Sequence, residues 1–120
     1  GGYDLDYAIE LCRAYRDEGV DMFDVSSGGE SPKGTKPYPG YHVPLAAAIR
    51  KEVGVPVIAV GLLDDPALAE HVLASGSADL IAVGRGMLRN PYWAIDALRA
   101  LGDEAPVARP YVRGYELLKK

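Results

Sequence analysis

Apolar and polar positions along the chain alternate between helical and strand periodicity three times. From about Asp4 to Glu18 an apolar stripe of Leu5, Ala8, Ile9, Cys12 and Tyr15 opposes Glu10, Arg13 and Asp17, which predicts a helix that Gly19 stops. Val20 to Val25 then reads as a strand ending in Ser26-Ser27-Gly28-Gly29. The Gly-, Pro-, Ser- and Lys-rich stretch from about Gly28 to His42 is a long loop, well beyond the roughly 2–6 residues of an ordinary βα connection. A second helix is predicted from about Pro44 to Val53, with Leu45, Ala48 and Ile49 on one face and Gly54 closing it.

Val55 to Val60 is a continuous apolar run, the signature of a strand buried on both faces of a parallel sheet. Asp65-Pro66 opens a third helix, with Asp as N-cap and Pro at the first helical position, and it ends near Ser75-Gly76. Another buried strand, Asp79 to Val83, leads into Gly84-Arg85-Gly86 and a short helix. Asn90-Pro91 repeats the capping logic and predicts a helix to about Leu101.

An internal echo orders these elements. Ile58-Ala59-Val60-Gly61 recurs as Ile81-Ala82-Val83-Gly84, an offset of 23 residues. That spacing holds one strand and one crossover helix, so the predicted unit is βαβ with right-handed connections. Chemistry in parallel α/β folds gathers at the C-terminal ends of strands. The three ends here are Ser26-Ser27-Gly28, Gly61-Leu62 and Gly84-Arg85-Gly86.

Glycine at a strand end lets backbone N–H groups approach an anion, and Arg85 adds a forked cation suited to phosphate. Singly, each glycine is better read as serving a tight turn. Two on successive strands, the second followed by Arg85, point to the phosphate site formed by the loops after the last two strands of a (β/α) barrel. Ser26 and Ser27 suit either a ligand or the turn backbone.

Composition narrows the classes. The chain has 120 residues, 48% hydrophobic and 25% charged, with a net charge of -4. Its length is less than half of the about 250 residues of a complete eight-stranded barrel. No basic run exceeds Lys119-Lys120, which argues against nucleic-acid binding, and no apolar stretch approaches the roughly 18 residues of a membrane span. The single Cys12 forms no internal disulfide and reads as a small core residue, consistent with a cytoplasmic setting. His42 and His71 have no partner at metal-ligand spacing, no metal site is expected, and Asp64-Asp65 reads as a helix cap.

Gly19-Val20-Asp21-Met22-Phe23-Asp24-Val25-Ser26-Ser27-Gly28 resembles the sixth strand of Old Yellow Enzyme-type barrels. Tyr38-Pro39-Gly40-Tyr41 resembles the loop that follows, Ala59-Val60-Gly61-Leu62 the seventh strand, and Val83-Gly84-Arg85 with Leu88-Arg89-Asn90-Pro91 the eighth. Tyr111-Val112-Arg113-Gly114-Tyr115 is similar to the tail of the bacterial, thermophilic-like branch. The resemblance implies a single unit over residues 1–120, made of the last three βα units of a (β/α)8 barrel, strands six to eight.

It further implies an FMN-dependent ene-reductase lineage with NADPH or NADH as reductant. Gly61, Leu62, Gly84 and Arg85 would hold the FMN phosphate, Ser26 would lie beside the flavin, and Arg113 would be an interface and substrate-side residue. No catalytic residue is expected in this chain, because the family's His pair and Tyr precede its first residue. Three strands leave two unpaired edges, so a homo-oligomer or a complementing N-terminal barrel portion is expected to cover them. The competing readings are a fragment of a sugar-phosphate barrel, a non-catalytic folding fragment, and a flavodoxin-like sheet.

Overall fold

The computed structural model describes residues 4–28 and 36–116. Three strands form one parallel sheet in the order β1 (Phe23–Val25), β2 (Val57–Ala59) and β3 (Leu80–Ile81). Helix α2 (Val43–Val53) connects the first pair and α3 (Pro66–Ala74) the second, so the predicted βαβ repeat is present. Helix α1 (Leu5–Asp17) precedes the sheet; α4 (Arg85–Arg89), α5 (Trp93–Ala100), a 3-10 turn (Arg109–Tyr111) and α6 (Val112–Glu116) follow it.

Local chemistry explains the helix ends. Asp4 caps α1 by accepting from the Tyr7 amide, and Asp65 caps α3 by accepting from Ala67 and Leu68. Gly54 ends α2 at φ 76°, a left-handed conformation that glycine adopts without strain. Arg16 of α1 reaches across to donate to the Val53 carbonyl at 2.7 Å, satisfying an orphan acceptor in the last turn of α2.

The register assigns the two faces of the sheet. Val25, Ala59 and Ile81 form one row, and Phe23 pairs with Val57 on the same side. These residues pack with Ile9, Ala46, Ile49, Val53, Leu63 and Val72 into the core, where Val57 and Ala59 are fully enclosed. Burying each such Val, Leu or Ile contributes roughly 1.5–3 kcal/mol. The opposite face carries the row Asp24, Ile58 and Leu80, where Asp24 is exposed, Ile58 intermediate and Leu80 half exposed. The radius of gyration, 17.0 Å, exceeds the roughly 14 Å of a compact domain this long.

Several expectations need correction. The strands are two or three residues long, not five or six, because ladder pairing stops where the loops diverge. The third strand is not buried on both faces: Leu80 is 50% exposed. Tyr15 lies off the packed stripe of α1 and is half exposed. On α2 Ile49 is buried and Leu45 packs at the margin of the core as expected, but Ala46 and Val53, not Ala48, complete the buried face. Asn90 is not a helix cap. Its side chain accepts from the Tyr92 amide in a turn, and α5 begins at Trp93.

Candidate functional site

The C-terminal ends of the three strands face one cleft of about 200 Å3. Ser26, Gly61, Leu62, Gly84 and Arg85 all line it, together with Tyr41, His42, Asp64 and Arg89. The residues singled out from sequence as a cofactor set are therefore brought together, from three separate strand ends. The volume is below the roughly 300–1,000 Å3 of a site that encloses a drug-sized ligand. Part of a ligand fits.

The seventh-strand-like turn is tightly specified. Gly61 sits at φ 117° and Leu62 at φ 53°, so two successive residues occupy positive φ. A leucine in that region carries strain, which functional loops tolerate where the surroundings fix the backbone. A Cβ on Gly61 would stand 2.9 Å from Tyr41 Cε1 and 3.1 Å from His42 Nδ1, so only glycine fits beneath these rings. Gly40 donates its amide to the Gly61 carbonyl at 2.8 Å and ties the returning loop to the strand end.

Gly84 differs in kind: a Cβ there would meet nothing within 4 Å. Its backbone is open on the cleft wall. Gly86 is buried and packs so closely on Asp64 that a Cβ would lie 2.7 Å from Asp64 Cβ. The amides of Leu62, Gly84 and Arg85 donate to no backbone acceptor among the described residues. Helix α4 has only five residues, so what the cleft offers an anion is these amides and the Arg85 guanidinium rather than a helix terminus.

Electrostatics separates the two arginines. Arg89 pairs with the Asp64 carboxylate, and Trp93 Nε1 donates to the Asp64 carbonyl at 2.8 Å, which locks the β2 loop to α4 and α5. Asp64 is thus a loop anchor; Asp65 alone caps α3. The Arg85 side chain is exposed and makes no hydrogen bond or ion pair among the described residues, so it is a cation available to an anionic ligand. The donor set suits a phosphate: a forked cation, free amides at two strand ends, and a bare glycine that permits close approach.

Other candidates separate from the cleft. Arg113 lies on α6, is exposed, and does not line it. Tyr115 of the same helix packs under Arg99 of α5, with the guanidinium 5.0 Å from its ring centre. Burial pushes the Cys12 thiol up, and the residue packs against the core, as a structural cysteine does. His71 is exposed. No group of His, Cys, Asp or Glu capable of holding a metal occurs among the described residues. The loop residues 29–35 lie outside the described residues.

His42 is the residue that sequence reasoning passed over. Its side chain is 4% exposed, and Nε2 lies 2.9 Å from the Ser27 carbonyl. A signal was present: His42 stands at the N-cap of α2, where Ser, Thr, Asp or Asn is preferred, and it makes no side-chain cap bond. A polar residue at that position without a capping role is occupied elsewhere.

Residues 28–104 match the profile of the NADH:flavin oxidoreductase / NADH oxidase family. The chain belongs to this family. The flavin oxidoreductase assignment agrees with the Old Yellow Enzyme-type resemblance of the strand ends, and FMN with a nicotinamide reductant is the family's cofactor set. An NADPH dehydrogenase of Geobacillus thermodenitrificans is 44% identical over 107 residues, covering 89% of this chain and 32% of that protein. One from Clostridium acetobutylicum is 43% identical over 96 residues, covering 80% and 28%, and one from Listeria monocytogenes 39% over 116 residues, covering 97% and 34%. The chain spans about a third of the length of the curated relatives it matches. No helix among the described residues is long and apolar enough to cross a membrane.

Proposed function

We propose that this chain is the flavin-phosphate-binding C-terminal portion of an FMN-dependent NAD(P)H oxidoreductase, an ene-reductase acting on activated alkenes. In this reading residues 1–120 are a single unit, the last three βα units of a (β/α)8 barrel. The observation that carries it is the convergence of Ser26, Gly61, Leu62, Gly84 and an unpaired Arg85 on one cleft at the strand C-termini. Family membership favours an FMN phosphate over a sugar phosphate as the anion. The incompletely covered row Asp24, Ile58 and Leu80 supports the barrel reading, because these side chains face where a barrel interior would be.

Each residue has a distinct task. Arg85 offers two parallel N–H donors to the phosphate, while the Gly84 and Leu62 amides add neutral donors and Gly84 lets the phosphate approach the backbone. Ser26 contributes a hydroxyl at the β1 end of the same cleft. When bound, the flavin supplies hydride transfer from a nicotinamide to the β-carbon of the alkene. None of this chain's residues is assigned a proton-transfer role; its contribution is binding and orientation. Arg113, exposed on α6, is free to serve a neighbouring subunit's substrate side, and the uncovered sheet face and edges are closed by a second copy or by a complementing barrel portion.

Visible absorption tests the reading. The purified chain is mixed with FMN, freed of unbound flavin, and compared with Arg85→Ala. Retained flavin absorbance, reduced at least about tenfold in affinity by the substitution, is expected for a charge-assisted contact of about 1.5–3 kcal/mol. Absence of flavin from the wild-type chain overturns it.

A further inference from the structure

His42 links three pieces of the cleft wall. Its Nε2 lies 3.1 Å from the Ser27 amide nitrogen and 2.9 Å from the Ser27 carbonyl oxygen. One ring nitrogen serves only one of these at a time, accepting from the amide or donating to the carbonyl. Nδ1 is buried and has no hydrogen-bond partner among the described residues. The ring lies against Tyr41, centroids 3.8 Å apart, and both rings press on the α-carbon side of Gly61. Backbone bonding from Gly40 to Gly61 fastens the same turn to β2.

We propose that His42 is a positioning residue that holds the Ser26-Ser27 end of β1 against the Gly61 turn, as a neutral imidazole donating Nε2–H to the Ser27 carbonyl. The opposite tautomer would bury an Nδ1–H donor without an acceptor, and orphaned buried N–H groups are rarer and costlier than orphaned lone pairs. The assigned tautomer leaves Nδ1 as a bare acceptor beneath Gly61. The consequence for binding rests on the flavin-phosphate reading; the tautomer and the loop order do not.

The test separates these. Nitrogen-15 NMR of the ligand-free chain reads which ring nitrogen of His42 carries the proton. Backbone relaxation reads the order of Ser26 to Gly28 in wild type, His42→Phe and His42→Gln. The proposal expects the proton on Nε2, loosened Ser26 to Gly28 in His42→Phe, and near-normal order in His42→Gln, whose amide N–H reaches the same carbonyl. FMN affinity should fall about fivefold in His42→Phe, the equivalent of a hydrogen bond of about 1 kcal/mol, and recover in His42→Gln. A proton on Nδ1 overturns the proposal, as does unchanged loop order in a folded His42→Phe. If His42→Phe does not fold, the wild-type tautomer and the His42→Gln order still decide. Wild type that binds no FMN but shows the expected tautomer and order refutes the flavin reading and leaves the positioning role standing.

Discussion

Asp79, just before β3, grips Arg50 of α2 with both carboxylate oxygens, Nε to Oδ2 at 2.9 Å and Nη2 to Oδ1 at 3.1 Å. The same Oδ2 accepts from the Val57 amide at 2.9 Å, and Arg50 also donates to the Gly76 carbonyl at 3.0 Å. One carboxylate thereby ties a helix to the starts of two strands, at the end of the sheet opposite the cleft. The Arg50 hydrogen bonds, followed by the Val57 amide, hold the Asp79 carboxyl below the usual carboxylate range, and Asp79 in turn raises Arg50.

That lowered value sets the pH dependence of the clamp. A carboxyl depressed in the folded state stabilises above its unfolded value of about 3.9, and the contribution is lost as pH falls through the folded value. Thermal melts of wild type and Asp79→Asn should therefore differ by a constant margin above about pH 5, with the margin closing as pH drops below 4. A margin that persists undiminished at pH 2.5 would show that the carboxylate charge is not the source.

Two glycines on the cleft should respond in opposite ways. Gly61→Ala puts a methyl 2.9 Å from Tyr41 Cε1 at φ 117°, so a loss of about 2 kcal/mol or more in stability is expected in denaturant titration. Gly84→Ala meets no neighbour, so stability should stay within about 0.5 kcal/mol. Its effect belongs to binding: the methyl obstructs close approach of the phosphate, and FMN affinity should fall about tenfold. Equal stability losses in both variants would contradict the distinction.

The two cleft arginines are likewise not equivalent. Arg89 already neutralises Asp64, whereas Arg85 has no acidic partner among the described residues. Flavin titrations should show Arg89→Ala weakening binding less than about threefold, against tenfold or more for Arg85→Ala. Reversed magnitudes would place the phosphate next to Arg89 instead.

How legible all this was in the sequence varies with the range of the interaction. The Asp65-Pro66 start of α3 and the Gly54 stop of α2 follow from local capping chemistry and were readable residue by residue. The meeting of Ser26, Gly61 and Gly84 was readable too, because a repeat of strand and crossover helix returns every strand end to the same side. Asn90-Pro91 misled because the Asx turn and the N-cap use the same residue types and differ only in backbone angles. Leu80 misled for another reason: an apolar strand residue encodes a buried place, and whether anything covers it depends on atoms that the strand itself does not supply. His42 escaped because its ring faces the Ser27 backbone fifteen positions away, a contact that no side-chain spacing reveals.

The fastening of Ser27 to His42, and of Gly40 to Gly61, has an evolutionary meaning as well. A segment whose two ends are pinned together at its base is a cassette. Its middle can lengthen, shorten or change composition while the pinned base transmits none of that to the strand ends. Diversification of the intervening sequence is thereby uncoupled from the strand ends that line the cleft, and grafting experiments that exchange this segment between relatives have natural boundaries at Ser27 and His42.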